Sequence, residues 1–244
     1  MRLYGLIGNP VTHSGSPDCF AEIWAREGVT DCRYALFPME SLQLLPELIR
    51  QHPSLCGLNV TSPFKRDVLS FADKVDDAAA KIGSANVLVT RKHQITAYNT
   101  DHIGFDRILD QLAELPPAAL VCGSGGAARA VCFSLQRHGI PFLTLSRRPG
   151  TDRVTYGEVD ARMLLQYPLI VNATPLGMAG LASQCPPLPY DALTHSNILA
   201  DLVYNPSKTL FLKHGESKGC RCVNGLEMLH GQAEAAWKIW KNYK

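Results

Sequence analysis

Residues 118–130 read Ala-Ala-Leu-Val-Cys-Gly-Ser-Gly-Gly-Ala-Ala-Arg-Ala, and this stretch decides the fold class of the 244-residue chain. An apolar run of strand length, residues 118–122, meets a glycine-rich turn, residues 123–126, and small residues then begin a helix-forming segment. In this context glycines permit close backbone approach to a pyrophosphate, and the helix N-terminus offers N–H groups and a positive dipole end. A plain glycine turn between a buried strand and a helix fits the same letters, so the motif alone leaves both interpretations open.

The end of the following predicted strand favours the dinucleotide interpretation. Residues 140–145 are apolar and stop at Ser146, Arg147 and Arg148, about where such a site contacts the adenosine ribose. A site for NAD commonly carries Asp or Glu at this point, whereas two arginines and no acid suit the 2′-phosphate of NADP. The sequence therefore predicts NADP as the cofactor.

Composition narrows the class of protein. The chain is 46% hydrophobic and carries a formal net charge of +2, so we expect neither nucleic acid nor a membrane as a partner. No stretch approaches the roughly 20 uninterrupted apolar residues of a membrane span, and the N-terminal segment turns at residues 9–10, too early for a signal peptide. The eight cysteines contain no C-x-x-C pair, and Cys220 with Cys222 is a poor zinc half-site. We expect reduced thiols, no metal and a cytoplasmic location.

A polar turn follows the first predicted strand, residues 2–8. Ser14 and Ser16 stand just ahead of Pro17, which suits the first position of a helix with Ser16 as its cap. Two hydroxyls beside a helix N-terminus would also suit a bound carboxylate. The spacing by itself is compatible with both roles.

A similar turn follows the predicted strand at residues 55–60. We expect Thr61 and Pro63 to open a helix, which places Lys65 about one turn from Thr61. A lysine in such a position is usually a solvated surface residue. Ligands of an open α/β sheet, however, bind just past the carboxyl ends of its strands.

Residues 87–98 resemble a β-hairpin with its turn at 91–94. The hairpin leads through Asn99 and Thr100 to Asp101, which precedes a helix predicted at 103–112. Capping that helix would be a common role for an aspartate.

The last predicted helix begins near Leu226 and has an apolar stripe that includes Trp237 and Trp240. Both tryptophans are therefore expected in the core. Gln232 lies off that stripe, and we expect a solvated side chain there. Helices alternating with strands along the whole chain predict an α/β fold with parallel sheets.

Eight segments together resemble the shikimate dehydrogenase family, and the resemblance runs almost end to end. In chain order they are Gly8-Asn9-Pro10 with His13-Ser14-x-Ser16-Pro17, Asn59-Val60-Thr61-x-Pro63-x-Lys65, Ile82-Gly83-x-x-Asn86, Tyr98-Asn99-Thr100-Asp101, Gly123-x-Gly125-Gly126-Ala127, Asn172-Ala173-Thr174-Pro175-Leu176-Gly177-Met178, Asp201-x-x-Tyr204-Asn205-Pro206 and Gly225-x-x-Met228-Leu229-x-x-Gln232-Ala233. The resemblance implies NADP-linked interconversion of 3-dehydroshikimate and shikimate, a reductive step of aromatic amino-acid (chorismate) biosynthesis.

The roles known for the family carry over to the matching positions as implications of the resemblance. The implied catalytic pair is Lys65 and Asp101. The implied substrate contacts are Ser14 and Ser16 at the carboxylate, and Thr61, Lys65, Asn86, Asp101, Tyr204 and Gln232 at the ring hydroxyls. The implied cofactor contacts are Gly123, Ser124, Gly125, Gly126 and Ala127 at the pyrophosphate, Ser146, Arg147 and Arg148 at the 2′-phosphate, Thr174, Gly225, and Met228 near the nicotinamide.

The resemblance also implies two open α/β domains. Residues 1–101 with 225–244 would form a substrate-binding and catalytic domain, and residues 102–224 a Rossmann-like NADP-binding domain, with the C-terminal helix returning to the first. We expect a small-molecule substrate and a monomer or homodimer.

Seven positions depart from the pattern frequent in the family. Phe20 and Ala21 replace His-Asn, Val87 replaces a threonine, and His102 and Glu227 replace glycines. Ser146 and Arg148, which flank Arg147, stand where Asn and Thr are frequent.

Two other functions compete with the main prediction. One is a quinate or shikimate dehydrogenase with relaxed cofactor use, against which Arg147 and Arg148 count. The other is a ligand-binding member of the fold without turnover, which loss of Lys65 or Asp101 would have indicated. Both residues are present.

Overall fold

The computed structural model describes residues 1–91, 94–148, 150 and 153–243 and divides the chain into two compact units. Unit 1 comprises Met1–Gly104 with Leu229–Lys244, and unit 2 comprises Phe105–Met228. The hairpin turn predicted at 91–94 includes Lys92 and His93, which lie outside the described residues.

Unit 1 contains a mixed six-stranded sheet. Its elements are β1 (Arg2–Gly8), α1 (Ser16–Glu27), β2 (Cys32–Pro38), α2 (Leu45–Gln51), β3 (Leu55–Val60), β4 (Lys74–Val75), α3 (Asp77–Ile82), β5 (Val87–Arg91) and β6 (Gln94–Tyr98). The strand order is β2-β1-β3-β5-β6-β4. β1 is parallel to β2 and β3, whereas β5 is antiparallel to both β3 and β6. The predicted hairpin therefore continues a parallel sheet.

The helix expected after β3 does not form. Residues 62–66 are turns, and a 3₁₀ helix at Asp67–Phe71 follows them. Pro63 explains the difference, because a proline disfavours the helical conformation of the residue before it. Helix α2 is preceded by a 3₁₀ turn, Leu42–Leu44, in which Ser41 Oγ accepts from the Gln43 N–H.

Unit 2 contains a six-stranded sheet in the order β12-β11-β10-β7-β8-β9, and all of its strand pairs are parallel. The remaining elements of the chain are α4 (Asp101–Asp110), β7 (Ala119–Cys122), α5 (Gly126–Arg137), β8 (Phe142–Ser146), β9 (Arg153–Thr155), α6 (Ala161–Gln166), β10 (Leu169–Asn172), β11 (Ile198–Asp201), α7 (Leu210–Ser217), β12 (Arg221–Val223) and α8 (Leu226–Asn242). Helix α4 begins in unit 1, and most of α8 belongs to unit 1. The predicted α/β fold class is confirmed. Because the chain leaves β7 towards β8 and later enters β10 on the other side of β7, the strand order reverses there, which is where doubly wound sheets bind ligands.

Aromatic side chains fill one face of unit 1. Tyr4, Phe20, Trp24, Trp237 and Trp240 are all buried in one cluster. The indole of Trp240 lies against a glycine of β3, residue 57, where an added Cβ would be 2.2 Å from Nε1, and its N–H donates to the residue 88 carbonyl over 3.0 Å. The core positions predicted for both tryptophans of α8 are confirmed, and they fix this helix to the sheet.

All eight cysteines are free thiols. Among the helices of the described chain, none combines the length and apolar character needed to span a bilayer.

Candidate active site

One edge of the unit 1 sheet gathers the polar residues that flank its strands. β1 and β3 are parallel, so the segments after Gly8 and Val60 emerge at the same edge. β5 pairs Val87 with Asn59, and β6 pairs Tyr98 with Val87, so β5 begins and β6 ends at that edge as well. The predicted site residues that this register brings to the edge are Ser14, Ser16, Thr61, Lys65, Asn86 and Asp101.

Lys65 and Asp101 form an ion pair, in which Nζ donates to Oδ2 over 2.7 Å. Their side chains are 15% and 5% exposed, so the pair is largely removed from water. A desolvated ion pair is tolerated when hydrogen bonds satisfy its remaining polar groups. Asp101 Oδ1 accepts from Asn86 Nδ2 at 3.0 Å, and the Asp101 N–H donates to Asn99 Oδ1 at 3.0 Å. The carboxylate is therefore held in one orientation with the ammonium group against it.

Asn86 connects this ion pair to the strands and to helix α8. Its Oδ1 accepts from the Thr100 N–H at 2.6 Å. Its Nδ2 lies 2.9 Å from Thr100 Oγ1, 3.0 Å from Asp101 Oδ1 and 3.2 Å from Gln232 Oε1. Because an amide nitrogen carries two hydrogens, these three acceptors share them. Asn86 is buried, and its orientation is fixed by the protein itself.

The expectation of a solvated Gln232 is wrong. The residue is buried, with Oε1 towards Asn86 and Nε2 donating to the Leu229 carbonyl over 3.1 Å. An apolar stripe identifies only the side of a helix that meets other apolar groups. Gln232 lies beside that stripe, where α8 meets a polar network, and hydrophobic periodicity carries no information about such a contact.

Tyr34 and Asn59 are further members of the network, and neither was given a role from the sequence. Tyr34 Oη donates to Asn59 Oδ1 over 2.7 Å, and Asn59 Nδ2 donates to the Asn86 carbonyl over 3.2 Å. Phe20 stacks on Tyr34 with ring centroids 4.7 Å apart. A lone asparagine inside the apolar run 55–60 was the available signal, because a buried amide requires hydrogen-bond partners.

Two of the departures from the family pattern are core residues. Phe20 and Val87 are each fully buried among the aromatic and aliphatic side chains of unit 1. His102 is also buried, near the N-terminus of α4, whereas Ala21 is exposed.

Of the two roles that the sequence left open for Ser16, capping of α1 is not observed. Helix α1 begins at Ser16 itself, Gly15 occupies the cap position, and no side chain caps the helix. Ser14 Oγ instead donates to Ser16 Oγ at 3.1 Å and accepts from the Ser16 N–H at 3.2 Å. The helix starts one residue earlier than expected, so the two hydroxyls form a pair at its N-terminus.

Thr61 is half-buried at the carboxyl end of β3, and its N–H donates to the Ile7 carbonyl over 2.9 Å. Its methyl group lies against Gly8, where an added Cβ would be 2.3 Å from Thr61 Cγ2. A glycine at position 8 therefore permits the close approach of the turns that follow β1 and β3.

In unit 2, the glycine-rich turn after β7 has room for a ligand at the backbone of α5. Gly123 has a φ of +113°, and an added Cβ there would lie 3.0 Å from the Ala173 carbonyl oxygen. Gly125 is the cap residue of α5, no side chain caps this helix, and the space around a Cβ at Gly125 is open. Ser124, Gly126 and Ala127 are partly buried in the same turn. The turn therefore fits a pyrophosphate at a helix N-terminus.

Ser146 ends β8, and Arg147 and Arg148 follow it at the same sheet edge. Ser146 is buried, and its hydroxyl donates to the Arg148 carbonyl, which fixes the turn. Both arginine side chains are exposed. Two exposed guanidinium groups on a fixed turn suit a phosphate, because each offers several donors and a permanent charge.

The remaining predicted cofactor contacts also belong to unit 2. Thr174 follows β10, and its Oγ1 donates to Asn172 Oδ1 over 2.6 Å. Gly225 packs so closely on Leu202 that an added Cβ would be 2.1 Å from that carbonyl oxygen. Met228 is buried in the core of unit 2. Tyr204, a predicted substrate contact, is half-buried after β11 in this unit.

Within the described ranges, no group of three or more His, Cys, Asp or Glu side chains is arranged to hold a metal ion.

Comparison with known proteins gives a consistent result. A family model described as the shikimate dehydrogenase substrate binding domain matches residues 6–88. The chain is similar to the shikimate dehydrogenase (NADP(+)) of Paracoccus denitrificans, with 39% identity over 98% of this chain and 90% of the relative. It is also similar to that of Clostridium beijerinckii, with 34% identity over 99% of this chain and 92% of the relative.

Solved structures show the same similarity. Shikimate dehydrogenase from Aquifex aeolicus superposes with a TM-score of 0.89 at 30% identity, over 99% of this chain and 93% of that one. Shikimate 5-dehydrogenase from Thermus thermophilus, solved in complex with NADP(H) and shikimate, gives a TM-score of 0.87 at 30% identity, over 99% and 94%.

Proposed function

The chain belongs to the shikimate dehydrogenase family, and on that premise we propose that its Lys65–Asp101 pair catalyses the proton transfer of the family reaction. The enzyme is an NADP-dependent oxidoreductase that reversibly reduces 3-dehydroshikimate to shikimate, in the pathway to chorismate and the aromatic amino acids. The observation that carries the proposal is the largely buried ion pair, 2.7 Å long, at the sheet edge where an α/β fold binds ligands.

We assign the substrate to residues 1–101 with 225–244 and the cofactor to residues 102–224. Unit 1 offers paired hydroxyls, an ammonium group and two amides at one edge, which are the donors that a carboxylate and ring hydroxyls require. Ser14 and Ser16 would hold the carboxylate. Thr61, Asn86 and Gln232 would hold the ring hydroxyls, with Tyr204 as a further contact.

The chemistry needs one proton-transfer group beside the carbonyl oxygen of the substrate. Bound NADPH supplies the hydride that the ring carbon accepts. Lys65 supplies the proton to the oxygen, because Asp101 accepts a hydrogen bond from its Nζ and holds that nitrogen in place. In the oxidation direction the same nitrogen accepts the proton. Asp101 therefore orients Lys65 in both directions, and Asn86 orients Asp101.

The cofactor assignment is supported by the open space around Gly125, the cap residue at the start of α5. Gly123, Ser124, Gly126 and Ala127 complete the turn that would receive the pyrophosphate. The 2′-phosphate would lie against Ser146, Arg147 and Arg148. Thr174, Gly225 and Met228 would contact the rest of the cofactor.

The decisive experiment measures NADPH consumption by the purified, metal-free protein on addition of 3-dehydroshikimate. We expect rapid consumption with NADPH and much slower consumption with NADH. In the reverse direction, oxidation should be faster with shikimate than with quinate. If quinate were oxidised as fast as shikimate, and NAD used as fast as NADP, the results would favour a quinate dehydrogenase. Binding of shikimate and NADP without turnover would favour a ligand-binding protein.

We also propose that the enzyme is cytoplasmic and acts as a monomer or homodimer on a small-molecule substrate, without nucleic-acid or membrane partners. Light scattering on the protein as it elutes from a size-exclusion column would give the oligomeric state, and an assembly larger than a dimer would contradict this proposal.

A further inference from the structure

Asn172 and Asp201 end two neighbouring strands of unit 2 and are both fully buried. Asn172 Nδ2 donates to Asp201 Oδ1 over 2.9 Å and to the Leu176 carbonyl over 3.0 Å. Asp201 Oδ1 also accepts from the Val203 N–H at 3.0 Å. A buried carboxylate is costly unless hydrogen bonds satisfy it, and here the donors come from the turns that follow β10 and β11. Neither side chain has a role in the proposed proton transfer.

The amide of Asn172 also fixes the turn that contains Thr174. Asn172 Oδ1 accepts from the Thr174 N–H at 3.1 Å and from Thr174 Oγ1 at 2.6 Å. Thr174 Oγ1 in turn accepts from the Leu176 N–H at 3.2 Å. Apart from its bond to Asp201, the Asn172 amide therefore makes all of these hydrogen bonds within residues 172–176.

This turn lies directly against the glycine-rich turn. A Cβ added at Gly123 would be 3.0 Å from the Ala173 carbonyl oxygen and 3.2 Å from Thr174 Cγ2. A shift of the turn after β10 would therefore press on, or leave a gap beside, the backbone that follows β7.

Thr209 closes the cluster from the opposite side. Its hydroxyl donates to Asp201 Oδ2 and accepts from the Leu212 N–H, which caps α7. Its methyl group lies against Gly177, where an added Cβ would be 3.1 Å away. One buried carboxylate thus joins the start of α7 to the turns after β10 and β11.

We propose that Asn172 and Asp201 are positioning residues for the cofactor, which hold the Thr174 turn against Gly123 so that both turns are shaped for NADP before it binds. The inference rests on the proposed function, because it assumes that this edge of unit 2 binds NADP. Thr174 and Gly123 would touch the cofactor. Asn172 and Asp201 would act only through them.

The experiment compares Asn172→Ala with Asn197→Ala, since both asparagines are buried in unit 2 and both fix a turn. Asn197 accepts from the Thr194 N–H at 2.9 Å and donates to the Leu164 carbonyl at 2.8 Å, but it precedes β11 and lies at the opposite sheet edge. NADPH affinity is measured by fluorescence titration, and thermal stability is measured in parallel. Asn172→Ala should raise the dissociation constant of NADPH about tenfold or more, because several hydrogen bonds that shape the turn are lost. Asn197→Ala should lower the melting temperature comparably and leave the dissociation constant close to that of the wild type.

Substrate kinetics complete the test. With saturating NADP, the Michaelis constant for shikimate should stay close to the wild-type value in both variants. If Asn172→Ala does not fold, Asp201→Ala and Asp201→Asn replace it, and only the alanine variant should bind NADPH weakly, because asparagine retains an acceptor. Unchanged NADPH affinity in Asn172→Ala, or equal weakening in Asn197→Ala, overturns the inference. A wild-type protein that binds no NADPH overturns the proposed function instead.

Discussion

Replacing Lys65 by alanine removes the ammonium group that pairs with Asp101, and it should weaken both stability and catalysis. At 2.7 Å the pair attracts by about 6 kcal/mol at an effective dielectric constant of about 20, before desolvation is subtracted. Removing one partner of a buried pair typically costs about 3–5 kcal/mol, because the other charge is left uncompensated. Loss of a general acid–base group lowers kcat by roughly 10²–10⁴-fold, or about 3–5 kcal/mol in the barrier. Lys65→Ala should therefore lower both the melting temperature and kcat.

Adding Asp101→Asn should restore stability and leave activity low. The double variant has no unpaired charge, so its free energy of unfolding should recover most of the loss, whereas its kcat should stay near that of Lys65→Ala. Groups that act as one unit are strongly non-additive. Asp101→Asn alone should also lower kcat, because the charge that holds Lys65 is gone.

The assay follows shikimate oxidation with NADP at a fixed pH. Lys81, an exposed lysine of α3, provides the control, and Lys81→Ala should leave kcat unchanged. Near-normal kcat in Lys65→Ala with only a raised Michaelis constant would refute the proton-transfer role and leave Lys65 as a binding residue.

Three further perturbations test other parts of the molecule. Arg147→Ala should weaken NADP binding about ten- to a hundredfold, because a charge-assisted contact contributes about 1.5–3 kcal/mol. It should change NAD binding little. Equal weakening of NADP and NAD binding would contradict the 2′-phosphate assignment. Ser16→Ala should raise the Michaelis constant for shikimate and leave that for NADP near its original value; earlier melting with unchanged kinetics would give Ser16 a purely structural role. Burial raises the pKa of Asp201 to about 6 from 3.8, against the lowering effect of its hydrogen bonds, so its contribution to stability is complete below about pH 4 and lost as pH rises through 6. Relative to Asp201→Asn, the wild type should lose about 3 kcal/mol of unfolding free energy between pH 4 and 7, and urea titrations that show a constant difference would contradict this sign.

The strands that position the site were predictable, because each is an apolar run bounded by Gly, Pro or Asn. β1 and β3 begin and end where the sequence indicates. The short strands β9 and β12, three residues each, carry too little periodicity to be recognised. They form because neighbouring strands offer hydrogen bonds, which is a tertiary cause.

The polar contacts of the site were less accessible to sequence reasoning. The apolar pattern identified Trp237 and Trp240 correctly, but it gave the wrong environment for Gln232 and no role for Tyr34. Both residues are held by side chains far away in the sequence, and hydrogen bonds of this kind leave no periodic signal. The family resemblance supplied the names of the site residues, and their individual roles stay predictions until the variants are measured.

Because unit 1 is built from both ends of the chain, the two units complete their folding at different stages of translation. Asn86 and Gln232, which lie 146 positions apart and share a hydrogen bond, can meet only after the whole of unit 2 has been translated. Until Trp240 leaves the ribosome, the glycine of β3 on which its indole lies stays uncovered. A nascent polypeptide can therefore complete unit 2 first, and unit 1, whose N-terminal part leaves the exit tunnel first, becomes native last.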